Sequence, residues 1–318
     1  MKIAIVGPGI MPIPPTGWGA VEILIWDQKL ALEKLGHEVK IVNTPHPMEI
    51  IKVVNNFAPD FVHIQYDDFI EVYPYIQYPC AITSHFGYLE QPERWDYYGD
   101  RIVKPFERIK PNVFCLSPGI RDVYRDKIGI PEDRLFVTPN GVNVDQFEFS
   151  EEPAHPDRSI YLAKIDYRKR QFMFQGINSL YYAGNNADQR FNTGTNYLGE
   201  WSKDELYKNL TEYGNLVLLS DGEAHPLVCT EAFSAGLGVV VSEWAAANLD
   251  IRKSFITVIP EDKISDIEYV EKHIVENREY SIAHRDEIRE YARSFDWVNV
   301  IDKHYIPVIE QLVAARNL

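Results

Sequence analysis

Cysteine is scarce in this chain, and long apolar runs are missing. The 318 residues include only 3 cysteines, and none of them forms a C-x-x-C pair. This spacing favours neither a disulfide framework nor a metal cluster, so we expect buried thiols in a reducing compartment. No apolar run reaches about 18 residues, and the apolar start meets Gly7 too early for a signal peptide. We therefore expect a cytoplasmic protein with no transmembrane helix.

Positive charge is also in short supply. The chain has 32 Lys and Arg against 47 Asp and Glu, which gives a net charge of −15. A general nucleic-acid binder needs a basic surface for phosphate contacts, so this balance argues against nucleic acid as a partner. A hydrophobic content of 45% is ordinary for a globular protein, and the length suffices for two domains.

The dinucleotide-binding fingerprint is incomplete. A buried strand over Lys2–Val6, a loop, a helix over 20–35 and a strand over 39–42 predict a Rossmann-like domain. However, Gly7 and Gly9 lack the third glycine, and the second strand ends in Asn43 with no acid for a ribose. We therefore do not expect this domain to bind NAD.

The stretch 215–243 organises the rest of the chain, because it predicts a strand, a loop, a helix and a strand in order. The run 216–219 is apolar enough for a buried parallel strand. We expect the helix to begin at Pro226 and to end at Gly236, and the next strand to cover 238–242.

Two carboxylates, Glu223 and Glu231, bracket this unit with seven residues between them. Eight residues of helical rise span about 12 Å, which roughly matches a nucleotide diphospho-sugar from ribose to sugar. The amides near Leu227 and Val228, at a helix N-terminus, would suit its diphosphate. On spacing alone, two surface glutamates on an amphipathic helix stay an open alternative.

The pattern E-x7-E followed by A-F-S-A-G resembles the donor site of the retaining GT-B glycosyltransferases, in particular glycosyltransferase family 4, the glycosyl transferases group 1. The segment 139–147, PNGVNVDQF, is similar to the signature that joins the two lobes of that family. The resemblance implies an α/β GT-B fold, two Rossmann-like domains with a deep interdomain cleft. We expect an acceptor-side domain over 1–150, on which a helix over 298–318 packs back, and a donor domain over 151–297. The polar segment 150–158 predicts the linker.

The resemblance also implies roles for individual residues. It assigns catalysis to Glu223, His85 and Lys169, and donor binding to Gly17, Gly19, Lys164, Lys169, His225, Leu227, Val228 and Glu231. Lys164 stands where the family has an arginine, so the charge is kept and the bidentate geometry is lost. His63 lies inside a predicted strand, where we expect it to pack in the core.

The activity implied is transfer of a hexose from a nucleotide diphospho-sugar to an acceptor hydroxyl, with retained anomeric configuration. The acceptor is a glycan, a lipid-linked molecule or a small molecule, and the resemblance implies neither a metal nor another cofactor. Ala163, Lys164 and Pro226 depart from the family pattern. They leave open a GT-B nucleotide-sugar-binding protein or an epimerase without transferase activity.

The segment 101–110, RIVKPFERIK, alternates basic and apolar residues. Such a segment can lie on an anionic membrane surface, and we expect peripheral contact with the inner membrane face as one interpretation. A solvated face is the other.

Overall fold

The computed structural model describes residues 1–16 and 19–316. Contacts divide the chain into two compact units, one made of residues 1–141 and 297–318 and the other of residues 142–296. Each unit is built around its own parallel sheet, so the expected α/β class is observed. The predicted domain bounds at 150 and 297 stay a prediction.

The elements of the first unit up to residue 137 are β1 (Lys2–Val6), α1 (Ala20–Lys34), β2 (Glu38–Val42), α2 (Pro47–Phe57), β3 (Phe61–Ile64), β4 (Cys80–Ile82), α3 (Lys104–Ile109), β5 (Val113–Cys115), α4 (Pro118–Asp126) and β6 (Leu135–Val137). Among the described residues of this unit, six parallel strands form one sheet in the order β2-β1-β3-β4-β5-β6. The predicted first strand, KIAIV, is almost wholly buried, as expected of a strand covered on both faces.

Local sequence signals explain where several of these helices begin and end. Pro47 occupies the first turn of α2, where a missing N–H does no harm, and Ala58 closes it in the left-handed conformation. At the start of α4, the Ser117 side chain accepts a hydrogen bond from the Ile120 N–H.

The elements of the second unit are β7 (His155–Leu162), β8 (Leu180–Ala183), α5 (Lys203–Asn209), β9 (Tyr213–Leu218), α6 (Leu227–Ser234), β10 (Gly238–Ser242), β11 (Ile256–Ile259), α7 (Ile267–Ala283) and α8 (Arg285–Ala292). Its five strands form one parallel sheet in the order β11-β10-β9-β7-β8. Every residue of β9 and β10 is buried, which places the predicted strand–loop–helix–strand stretch at the centre of this unit.

A buried arginine holds several backbone segments of the second unit together. The Arg285 guanidinium, only 3% exposed, donates hydrogen bonds to the carbonyls of Ser150, Thr211, Tyr213 and Ala235. Burial lowers the pKa of Arg285 to about 10. The carbonyl oxygens stabilise the buried guanidinium charge, and the side chain links four backbone segments.

The predicted linker over 150–158 is too long. Residues 155–158 already belong to β7, where His155 pairs with Tyr213 and an irregularity separates this pair from the pairing of Ser159. A bulge of this kind accommodates Pro156, which cannot donate to the ladder, so polar composition did not prevent strand pairing. The helix predicted to begin at Pro226 begins one residue later, with Pro226 in the capping position.

The end of the chain returns to the first unit. The helices α9 (Trp297–Val300) and α10 (Ile306–Arg316) flank a π-helical turn over Ile301–Tyr305. All three belong to the first unit, and the Tyr305 hydroxyl lies 2.8 Å from Nδ1 of His63 in β3.

Candidate functional site

The carboxyl ends of the strands in the second unit bring its charged loops to one edge of the sheet. The loop over 163–170 follows β7, and the loop over 219–226 follows β9. These two strands are neighbours and run parallel, so the loops lie side by side. In open α/β sheets this edge is where ligands bind.

An ion pair joins these two loops. The Lys169 Nζ donates to the Glu223 carboxylate, and the two side chains are only 12% and 10% exposed. Burial raises the pKa of the Glu223 carboxyl, but the charges of Lys169 and Arg168 outweigh it and hold the pKa below its usual value. Glu223 is therefore a carboxylate at neutral pH, already positioned next to a cation.

Backbone and side-chain hydrogen bonds fix this ion pair in place. The buried Tyr161 hydroxyl donates to the Lys169 carbonyl and accepts from the Leu219 N–H at 2.8 Å, which ties the two loops together. The Lys169 N–H donates to the Asp166 carboxylate at 3.0 Å. No sequence motif pointed to Tyr161, because its role depends on strands that are adjacent in the sheet and distant in the chain.

Arg168 is a second cation at the same carboxylate. Its Nη1 lies 3.9 Å from Glu223 Oε2 and donates to the Gly222 carbonyl at 3.0 Å. Sequence reasoning gave this residue no role of its own, since the family spacing drew attention to Lys164 and Lys169. The signal that was present is the density of charge, four basic residues within 164–170.

The start of α6 carries three more of the predicted donor-binding residues. His225 and Pro226 are buried, and Leu227 and Val228 are half-buried. The Leu227 N–H donates to the His225 carbonyl at 2.9 Å, so in this structure that amide is already engaged. Glu231 lies one turn further along α6 and is half-buried. Lys164 is exposed in the loop that also carries Lys169.

His85 follows the carboxyl end of β4 in the first unit and is half-buried. Its Nε2 donates to Gln65 Oε1 at 2.8 Å, and Gln65 in turn donates to Gln28 at 2.9 Å. Burial lowers the pKa of His85 to about 4, so its imidazole is neutral at pH 7. This chain of amides holds the ring in one orientation.

His63 is a core residue, as predicted. It is 3% exposed, and its ring nitrogens lie 2.8 Å from the hydroxyls of Tyr305 and Thr83. Burial lowers the pKa of His63 to about 3. A neutral ring with both nitrogens hydrogen-bonded fits a structural role.

A buried carboxylate anchors the loop that carries His85. Asp67 accepts hydrogen bonds from the hydroxyls of Ser84 and Tyr98, and burial raises the pKa of this carboxyl. The Ser84 hydroxyl also accepts from the Phe86 N–H at 3.2 Å. The Ser84 hydroxyl thus links the residues on both sides of His85 to Asp67.

Of the two glycines assigned to the loop after β1, Gly17 lies outside the described residues. Gly19 caps α1 with a φ of 136°, and a Cβ at this position would come 3.1 Å from Glu22 Oε2 and 3.3 Å from Pro15. Only glycine adopts this backbone without strain. The donor contact of both glycines stays a prediction.

The segment 101–110 differs from its sequence pattern. Its apolar residues Ile102, Val103 and Phe106 are buried within the first unit. Arg101 pairs with Asp68 at 2.7 Å, Lys104 pairs with Asp100 at 2.5 Å, and Arg108 pairs with Glu71. The apolar face on which the expected membrane contact depends is therefore covered by protein. No helix among residues 1–16 and 19–316 is long and apolar enough to cross a membrane.

The structure thus brings Glu223 and Lys169 into contact and adds Arg168 to them. Lys164, His225, Leu227, Val228 and Glu231 lie in the same two loops or in α6, whereas His85 and Gly19 belong to the first unit. Within the part of the chain that is described, no three His, Cys, Asp or Glu side chains are arranged to hold a metal ion.

Comparison with known proteins supports the resemblance indicated by the motifs. Residues 43–146 match the family model for Glycosyltransferase Family 4. No curated protein matches the chain significantly in sequence.

Solved glycosyltransferase structures share the whole fold at low sequence identity. Sucrose-phosphate synthase of Thermosynechococcus elongatus is 15% identical with a TM-score of 0.78, and the alignment covers 99% of each chain. HepE of Anabaena, in complex with UDP-glucose, is 13% identical with a TM-score of 0.72, and the match covers 99% of this chain and 100% of HepE. The lipopolysaccharide outer core galactosyltransferase WaaB is 16% identical with a TM-score of 0.70, and all of both chains is covered. The expected GT-B fold is therefore confirmed.

Proposed function

We propose that this protein is a glycosyltransferase that moves a sugar from a nucleotide diphospho-sugar to an acceptor hydroxyl. The observation that carries the proposal is the Glu223–Lys169 pair at the carboxyl edge of the second sheet. In this pair, a carboxylate that can bind the sugar lies next to a cation that can bind the phosphates. The pair lies at the edge of the sheet where open α/β folds bind ligands. The likeness to HepE, whose structure holds UDP-glucose, supports a donor of the same kind.

The reaction breaks the bond between the sugar C1 and the diphosphate and forms a bond from C1 to the acceptor oxygen, whose proton passes to the leaving diphosphate or to water. Negative charge develops on the leaving diphosphate, and positive charge develops on the sugar. Fixed cations at the phosphate stabilise this transition state more than the ground state. We assign this role to Lys169 with Lys164, and the start of α6 around Val228 adds its dipole.

Glu223 has the complementary role on the sugar. Its carboxylate stays ionised, so it can accept hydrogen bonds from sugar hydroxyls and face the positive charge of the oxocarbenium-like centre. In this structure Lys169 and Arg168 both lie at the Glu223 carboxylate. A donor sugar that hydrogen-bonds to Glu223 must therefore replace part of these contacts. Glu231 is assigned to the ribose hydroxyls, and His225 to a contact beside the diphosphate.

His85 is assigned to the donor sugar as well. Its pKa of about 4 makes the imidazole neutral at physiological pH, so it can position a hydroxyl by hydrogen bonding and adds no charge. Gly17 and Gly19 are assigned to the backbone that approaches the diphosphate, because glycine allows close contact there.

We further propose a retaining hexosyltransferase that needs no metal and works in the cytoplasm. A glycan, a lipid-linked molecule or a small molecule is the acceptor. The three cysteines, Cys80, Cys115 and Cys229, are buried free thiols, which suits a reducing compartment.

The proposal is tested by mixing the protein with UDP-, GDP- and ADP-sugars and a panel of acceptors, and by measuring the free nucleoside diphosphate. We expect release that depends on an acceptor and on one class of donor. NMR of the product reports whether the anomeric configuration is retained, and assays with EDTA report on metal dependence.

The same assay separates the alternatives. Conversion of the donor sugar with no acceptor would identify an epimerase. Donor binding without turnover, for every acceptor tested, would identify a nucleotide-sugar-binding protein and contradict the transferase proposal.

A further inference from the structure

Arg168 stands out in the second unit because its guanidinium faces a carboxylate that already has a partner. Its Nη1 contacts the Gly222 carbonyl at 3.0 Å and lies 3.9 Å from Glu223, which is paired with Lys169. Among the residues that the structure describes, Nη1 alone of the Arg168 nitrogens makes a polar contact. A guanidinium has five N–H donors, so most of its fork is available to an oxyanion.

The neighbouring Arg170 shows what a purely structural arginine in this loop looks like. Arg170 has its own acid, Glu261, and its side chain is 13% exposed. Among the described residues, the one acid paired with Arg168 is Glu223, which also pairs with Lys169, and the Arg168 side chain is 34% exposed. The Arg168 side chain is therefore less fully paired than the Arg170 side chain.

Lys164, in the same loop, cannot supply the paired hydrogen bonds that a guanidinium gives to a phosphate. The sequence pattern has a lysine where the resemblance expects an arginine, and this lysine is exposed. An ammonium acts as a point charge, whereas a guanidinium donates two parallel hydrogen bonds to one phosphate. Lys164 alone therefore leaves the loop without bidentate recognition.

Hydrogen bonds hold Arg168 against the loop that carries Glu223. The Arg168 carbonyl accepts a hydrogen bond from the Asp221 N–H at 3.0 Å, and its Nη1 holds the Gly222 carbonyl. Both contacts reach the loop after β9, which carries Glu223. The guanidinium is thus held between the two loops that form the candidate donor site.

We propose that Arg168 binds the diphosphate of the donor and supplies the bidentate contact that Lys164 does not. This inference depends on the proposed function, since it concerns the same donor site. It differs from the assignment carried by the resemblance, in which Lys164 and Lys169 hold the diphosphate.

The test compares nucleoside diphosphates with the corresponding monophosphates by isothermal titration calorimetry. UDP, GDP and ADP identify the base, and the ratio of diphosphate to monophosphate affinity isolates the contact with the second phosphate. The variants are Arg168→Lys, which keeps the charge and removes the fork, and Arg168→Ala. Arg252→Ala is the matched control, because this arginine lies in the same unit and its side chain is 88% exposed. Thermal melting checks that each variant is folded.

We expect the affinity ratio to fall about 10-fold in Arg168→Lys and up to about 100-fold in Arg168→Ala, the range for hydrogen bonds to charged groups. Arg252→Ala should keep the wild-type ratio. A change of less than threefold in both Arg168 variants overturns the inference and leaves the proposed function standing. If the wild-type protein binds none of the three diphosphates, the proposed function itself fails.

Discussion

Replacing Glu223 by glutamine tests whether Glu223 acts on the sugar while Lys169 acts on the phosphates. The substitution keeps the size and a hydrogen-bond acceptor for Lys169, and removes one negative charge from a side chain that is 10% exposed. At 3.9 Å, the Arg168–Glu223 distance, two unit charges attract by about 4 kcal/mol at an effective dielectric constant of 20. Desolvation offsets most of this attraction, so we expect the free energy of unfolding to drop by only about 1–3 kcal/mol.

Turnover should suffer far more than folding does. Loss of one preorganised group that faces developing charge typically costs about 100-fold to 1,000-fold in kcat. The affinity for the nucleoside diphosphate should stay equal or rise, because Lys169 and Arg168 no longer pair with a carboxylate at residue 223 and can bind the phosphates instead. Initial rates of diphosphate release and calorimetric titration measure the two effects separately.

A matched control is Glu290→Gln, since Glu290 is exposed on α8 of the same unit and should leave both quantities unchanged. The reasoning is refuted if Glu223→Gln keeps turnover within threefold of wild type. It is also refuted if diphosphate affinity falls as far as turnover does, because Glu223 would then act only by placing Lys169.

Two further predictions concern stability. The pKa of His63 is lowered from 6.5 to about 3, so the unfolded chain binds more protons at this residue between these values, and the contribution of His63 to stability should fall by about 1.4 kcal/mol per pH unit as the pH drops from 6.5 toward 3. Chemical unfolding at several pH values measures this, and His63→Asn should flatten the slope; an unchanged slope would contradict the buried neutral ring. Arg285→Met should lower the free energy of unfolding by about 3 kcal/mol or more, because it leaves four carbonyls without their donor. Arg252→Ala should change the free energy of unfolding by less than about 0.5 kcal/mol. Equal effects of Arg285→Met and Arg252→Ala would show that Arg285 does not stabilise the second unit.

The sequence predicted the bounds of an element best where a buried strand ends at a loop. The strands at 2–6 and 238–242 were predicted at their observed bounds, because their apolar runs end at clear breaks. The pair of Glu223 and Lys169 was singled out from spacing and resemblance, and the structure brings the two side chains into contact. Family resemblance therefore pointed to two residues that local periodicity does not connect, and their roles in the site stay a prediction.

The features that the sequence did not reveal all depend on contacts between distant segments. Tyr161 ties two loops together only because β7 and β9 are neighbours in the sheet. The early start of β7 depends on pairing of His155 with Tyr213, and no local propensity at 155–158 indicates it. The basic segment at 101–110 looked amphipathic toward a membrane, but its apolar residues face the core of the first unit.

A crystal structure of the protein with its nucleoside diphosphate tests the central claim most directly. The account predicts phosphate oxygens at hydrogen-bond distance, about 2.7–2.9 Å, from Lys169 Nζ and the Arg168 guanidinium, with the Lys169–Glu223 pair opened toward the ligand. A diphosphate bound away from the loops over 163–170 and 219–226, with that ion pair intact, would contradict it.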